Sequence, residues 1–138
     1  MQAPTAEELL QSVIVQQALE QAWLDSLPND PVARHEEGGW IYMDAGTGAI
    51  TICRASRGIR AAINLDNPAE IRGFVVVGKF HTHPNPTAEG WEPGPSGADL
   101  LTDAIHGVPD MIRADDGVHT SGPNQRRGGL VGNPGYPV

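Results

Sequence analysis

Phe74-Val75-Val76-Val77-Gly78-Lys79-Phe80-His81, continued by Thr82-His83-Pro84, is the run that decides the fold. It is β-branched and apolar, with Gly73 before it and Pro84 after it, and it reads as the strongest strand in the chain. Residues i and i+2 of a strand project from one face, roughly 7 Å apart. His81 and His83 therefore point the same way, at the carboxyl edge of the strand, where sites usually open. Two imidazoles so placed can converge on one cation. By itself an HxH pair is a weak signal.

Elements on both sides of this strand can be assigned. Thr5-Ala6-Glu7-Glu8 has the capping-box pattern, and Leu9, Leu10, Val13, Ile14, Gln17, Ala18 and Trp23 follow near a 3.6-residue period. The pattern predicts one amphipathic helix from about residue 5 to 26, ended by Leu27-Pro28-Asn29-Asp30-Pro31 and covering one face of a sheet. Glu36-Glu37-Gly38-Gly39-Trp40-Ile41-Tyr42-Met43 reads as a strand after a close approach that only glycine permits. A turn at 44–48 joins it to a hairpin partner at 49–54. Residues 56–67 are ambiguous, a loop with a short strand around 59–63. A Pro/Gly-rich loop follows Pro84. Ser96 opens a short helix over 97–105, closed by Gly107, and residues 111–114 and 117–120 are set to form a hairpin. The fold class is α/β, in one domain over residues 1–123 with an irregular Gly/Pro-rich tail at 124–138.

The Ser96 helix supplies a candidate third ligand. Ser96 and Asp99 are three residues apart, so hydroxyl and carboxylate share a helix face. Asp99 can complete a His₂-carboxylate set and leave a fourth tetrahedral position for water, the open arrangement of catalytic zinc. A purely structural account also exists, in which Ser96 caps the helix and Asp99 complements its dipole. That account weakens once HxH lies just upstream. Asp103, one turn beyond Asp99, is the rival ligand.

The order His81-Thr82-His83-Pro84, a spacer, then Ser96-Gly97-Ala98-Asp99 resembles the HxHPx(n)SxxD signature of the JAMM (JAB/MPN) zinc metalloproteases. That family also has an upstream glutamate in an ExxG-apolar context. Glu36-Glu37-Gly38-Gly39-Trp40-Ile41 matches it, and aligning the last glycine on Gly39 selects Glu36 rather than Glu37. The resemblance spans residues 36–99. It implies a JAB/MPN-like, cytidine-deaminase-like mixed sheet with the long N-terminal helix on one face and the Ser96 helix beside the metal. It also implies one Zn²⁺ per chain on His81, His83 and Asp99, with Glu36 as the base that takes a proton from zinc-activated water. Zinc lowers the pKa of that water from 15.7 towards about 7. Ser96 is then the donor to the developing oxyanion. The implied activity is cleavage of a peptide or isopeptide bond in a protein substrate, such as the C-terminus of a ubiquitin-like protein. Two departures matter. The spacer NPTAEGWEPGP is longer than in eukaryotic members, making it either a flap that grips substrate through Trp91 or a loop that Trp91 packs down. The short chain also has no room for the insertions that read linked ubiquitins.

Composition narrows the remaining classes. The chain has 138 residues, 39% hydrophobic and 19% charged, with Gly 17 and Pro 12, which suits a loop-rich domain. A net charge of −8, from 9 basic against 17 acidic residues, argues against nucleic-acid or anionic-membrane surfaces. The acidic, polar start is no secretion signal and no run is apolar enough to span a membrane, so a cytoplasmic protein is expected. Nothing in the sequence bears on oligomeric state. The single Cys53 excludes the PCxxC zinc site of the nucleoside deaminases and reads as a small buried residue. Lys79 is the only lysine; few acceptor amines would suit an enzyme of lysine-linked conjugates, but Arg-for-Lys usage explains the same fact and is preferred. His35 precedes the candidate base and either steadies it or, as is commoner, is a solvated loop residue; His106 reads as a helix-end cation, and His119 has no ligand-like spacing. Arg126-Arg127-Gly128-Gly129 resembles the end after which ubiquitin-like proteins are cut, but such runs arise by composition in a Gly/Pro tail. Two rivals remain: a non-catalytic MPN-type binding module, and a metallohydrolase of small amides.

Overall fold

The structure is a computed structural model, and it describes residues 2–123. Three α-helices and a five-stranded mixed sheet make up the described chain: α1 (Ala6–Leu10), α2 (Val13–Asp25), β1 (Gly38–Asp44), β2 (Ile50–Arg54), β3 (Phe74–His83), α3 (Gly97–His106), β4 (Asp110–Ala114) and β5 (Gly117–Ser121). The sheet order is β2-β1-β3-β4-β5. Only β3 and β4 pair in parallel, and α3 lies in the crossover between them. The mixed α/β class expected from the sequence is therefore present. The proposed tail and the Arg126–Gly129 run lie outside the described residues.

The long N-terminal helix is in fact two helices. The capping box at Thr5 forms as expected, with Glu8 N–H donating to Thr5 Oγ1 and Thr5 N–H to Glu8 Oε1. The helix stops at Leu10, however, because Ser12 adopts an extended conformation and its hydroxyl accepts from Val15 N–H as a second N-cap. Both helices still feed one core. Leu9, Val15, Leu19 and Ala22 pack on Ile41, Met43, Val77, Phe80 and Met111 of the sheet.

The central strand does not keep simple alternation. Ile41 pairs with Gly78 and Tyr42 with Val76, so Val77 is an extra residue, a β-bulge. Val75 and Val77 face the helices, and after the bulge Gly78 and Phe80 face them too. Lys79, His81 and His83 are thereby turned to the opposite face. Without the bulge they would share the face of Val75 and Val77 and point into the core.

Gly38 and Gly39 confirm the close approach expected of them. A Cβ at Gly38 would lie 2.2 Å from the Phe80 carbonyl oxygen, and one at Gly39 2.3 Å from the Cys53 carbonyl oxygen. The strand itself starts at Gly38, so Glu36 and Glu37 precede it. Cys53 is half-buried rather than fully enclosed. Within 56–67 the short strand reduces to one bridge between Ile59 and Ala62.

Gly38→Ala should lower stability by about 3 kcal/mol or more, since rigid backbone rather than a movable side chain blocks the new methyl. Urea denaturation checks this. An unchanged midpoint would contradict the close packing of β1 on β3.

Candidate metal centre

His81 and His83 end β3 on the face opposite the helical core. His81 is 2% exposed, and its Nδ1 lies 3.2 Å from Asp110 Oδ1 at the head of β4. An ionised carboxylate only accepts, so Nδ1 carries the hydrogen and Nε2 is turned towards the cleft. Sequence reading missed Asp110. Its role follows from β3–β4 pairing, which sets Asp110 opposite Lys79, and no local spacing announces that.

The two Nε2 atoms are 3.1 Å apart. Asp99 lies across them, with Oδ1 3.4 Å from His81 Nε2 and Oδ2 3.1 Å from His83 Nε2. Atoms bound tetrahedrally to one zinc at about 2.0–2.1 Å are separated by about 3.3 Å. The donor atoms present thus fit a zinc ion by type and spacing.

Glu36 comes to the same place from a different stretch. Glu36, His81 and His83 offer ligand atoms that all lie within 4.8 Å of one another. Glu36 therefore stands close enough to ligate as well as to act as a base. Its backbone is held on both sides, with Glu36 N–H donating to the Ile59 carbonyl and Gly58 N–H donating to the Glu36 carbonyl, each at 2.8 Å. The ambiguous 56–67 segment is thus the clamp on this residue. A buried hydroxyl pair fixes the next one. Glu37 N–H donates to Thr82 Oγ1 at 3.0 Å, Thr82 lies 2.5 Å from Ser26 Oγ, and Ser26 donates to the Ala22 carbonyl at the end of α2.

Glu37 itself is committed elsewhere. It meets His35 Nε2 at 2.5 Å and Arg54 at 2.7 Å. His35 is buried, not solvated as expected, because this carboxylate and Arg57 partner both ring nitrogens. Asp103 is likewise removed as a rival ligand. It is fully buried and bonds Lys79 Nζ at 2.8 Å and Ser121 Oγ at 2.5 Å. His106 joins the same group through Lys79 at 2.7 Å and also pairs with Asp66 at 2.8 Å, so it does more than end a helix. His119 pairs with Asp116.

The helix cap and the site share atoms. Ser96 Oγ accepts from Asp99 N–H, and Ser96 N–H donates to the Asp99 Oδ2 that also faces His83. Capping thus aims the carboxylate, and the Ser96 hydroxyl hydrogen stays available. Glu36, His83, Ser96 and Asp99 line a cleft of about 420 Å³, together with Ala61, Ala62, Ile63 and Trp91 of the 84–95 loop.

Electrostatics follow from burial and pairing. Burial pushes the Glu36 carboxyl up to about 7, against the pull of His81 and His83. Burial also opposes charge on His81, but the Asp110 and Asp99 carboxylates outweigh it and hold the imidazole well above its ordinary range. Asp99 resists the same burial through hydrogen bonds from both histidines, which keep it well below the usual carboxylate range.

No helix among the described residues is long and apolar enough to cross a membrane. Compared with protein-family models, with curated proteins and with solved structures, the chain finds no match.

Proposed function

We propose that this protein is a zinc-dependent hydrolase of peptide or isopeptide bonds, a JAMM-type metallopeptidase on a JAB/MPN-like fold. Its proposed substrates are proteins, including the C-termini of ubiquitin-like proteins. The observation that supports it most is the convergence of His81 Nε2, His83 Nε2 and the Asp99 carboxylate at 3.1–3.4 Å, with buried Glu36 beside them.

In this reading His81, His83 and Asp99 hold the zinc, and Asp110 fixes the His81 ring. Bound zinc supplies Lewis acidity, which activates water and polarises the scissile carbonyl. Glu36 accepts the proton of the attacking water and returns it to the leaving amine. A carboxyl raised to about 7 by burial is well matched to that exchange near neutral pH, and a bound cation would pull it lower. Ser96 donates its hydroxyl hydrogen to the carbonyl oxygen as charge develops there. The cleft is also the size of a small-molecule pocket. That favours hydrolysis of small amides as the second reading, and profiling ubiquitin-like fusions beside acyl-amino acids separates the two.

Purified under metal-replete conditions, the protein should carry about one zinc per chain. His83→Ala should abolish that, and Asp110→Asn should weaken it about 10–100-fold. Elemental analysis that finds no zinc in the wild type would favour a non-catalytic binding module.

Glu36→Gln should keep its metal and lose about 10²–10⁴-fold in kcat. Loss of zinc in that variant would make Glu36 a ligand, and retained turnover would remove it from the mechanism.

Zinc affinity should fall as pH drops. The His81 imidazolium is favoured in the metal-free protein, and zinc must expel its proton. The dissociation constant should rise about tenfold per pH unit for each proton displaced. Competition with a chromophoric chelator across pH 5.5–8 (about 2.5 units) measures this, and a flat profile would count against the histidine pair as ligands.

A further inference from the structure

Helix α3 is amphipathic in the inverted sense. Asp99, Thr102, Asp103 and His106 recur at helical spacing on the face turned to the sheet, while Leu100, Leu101 and Ile105 are exposed. No residue of α3 belongs to the apolar core, so the helix is seated by polar contacts, and Lys79 receives two of them. The Lys79 and Asp103 side chains are 3% and 0% exposed. Lys79 Nζ lies 2.8 Å from Asp103 Oδ1, yet that oxygen has no well-directed hydrogen bond among the described residues. The nitrogen is thus held against the carboxyl group by charge and packing rather than by an aligned donor. An atom so placed lies within about 4 Å of the carboxyl carbon, one small rotation from the 3–3.5 Å of a near-attack geometry.

We propose that Lys79 and Asp103 join covalently, Nζ to Cγ, in an isopeptide bond that staples α3 to β3. The step uses this chain's own side chains and does not depend on the zinc chemistry. Around the pair stand the groups an acyl transfer needs. His106 Nδ1 lies 2.7 Å from Lys79 Nζ, with its Nε2 2.8 Å from Asp66 Oδ1, so the ring is placed to take a proton from the ammonium and to be paired once charged. Ser121 Oγ donates to Asp103 Oδ2 at 2.5 Å, where negative charge develops on attack. Burial, with Asp110 beside it, pushes the Asp103 carboxyl up, towards the protonated form that can lose a hydroxyl. The atoms balance without a further reactant. Of the three Nζ hydrogens, one passes to His106 and one leaves with the Asp103 hydroxyl as water, while the third stays on the new amide. The Nζ–Cγ bond forms and a Cγ–O bond breaks. Amide formation from a free acid and amine is opposed in water, but fixed neighbours reach effective molarities on the order of 10⁵–10⁸ M. The product also replaces two buried charges by one neutral group. Lys79 is the only lysine, so the nucleophile is unique in the chain.

The test is the mass of the full chain, purified, held at room temperature until the value is constant, and measured denatured. The wild type should fall below the mass of its sequence by about 18 Da, one water, and Lys79→Met should keep the full mass. Trypsin should leave wild-type residues 73–113 as one peptide, uncut after Lys79, carrying the loss and giving no backbone fragments between positions 79 and 103. Asp116-Gly117 provides the internal control, because a succinimide there would shed the same water but from the 114–126 peptide. A wild type at full mass would overturn the proposal. So would cleavage after Lys79, a loss that maps to 114–126, or a loss that persists in Lys79→Met. The mass and the peptide map of the wild type stand by themselves whether or not the variant folds.

Discussion

One extra residue in the central strand governs the rest of this structure. Val77 has no partner on β1, and the side-chain phase of β3 changes there. Before the bulge the strand contributes Val75 and Val77 to the face under α1 and α2. After it Gly78 and Phe80 continue that face, and Gly78 brings the backbone close to Leu9, Ile41 and Met111. Three ionisable side chains are thereby turned away from an apolar core that could neither solvate nor pair them. The same residues meet carboxylates on the other side: Lys79 meets Asp103, His81 meets Asp99 and Asp110, and His83 meets Asp99.

That second face is polar and is held by partners remote in sequence. Glu36 is fixed by backbone bonds to Gly58 and Ile59. The adjoining Glu37 is tied through Thr82 and Ser26 to the end of α2. These contacts fix the main chain at Glu36, so little backbone reorganisation would be needed for its carboxylate to hold a charge. The Lys79–Asp103 pair has a different task. Inside the protein it compensates two charges with each other, and it anchors α3 by its polar side. The inverted pattern of that helix follows directly, since the face anchored through Asp103 is the face that a surface helix normally shows to water.

The helix start at Ser96 shows why a structural and a chemical account of one motif need not compete. Ser96 and Asp99 form a reciprocal cap, and that cap orients the Asp99 carboxylate across both imidazoles. Capping leaves the serine hydroxyl with a hydrogen to donate, so one short sequence ends a loop, starts a helix and furnishes two groups to the cleft.

The sequence by itself determined the element types where local signals are strong: the β-branched run at 74–83, the glycine pair at 38–39, the caps at Thr5 and Ser96, and the hairpins. It also determined which residue kinds gather at the site, because HxH and SxxD carry their spacing within one strand end and one helix turn. Only the tertiary structure decided which face of β3 the histidines occupy, since the strand alternation alone would have sent them into the core. It likewise decided that Ser12 breaks the first helix, that Glu37 is committed to His35 and Arg54, that Asp103 is spent on Lys79, and that Asp110 backs His81. The physical reason is common to all of these. Each outcome depends on strand register or on a partner far along the chain, and such pairings leave no periodic trace in the local sequence.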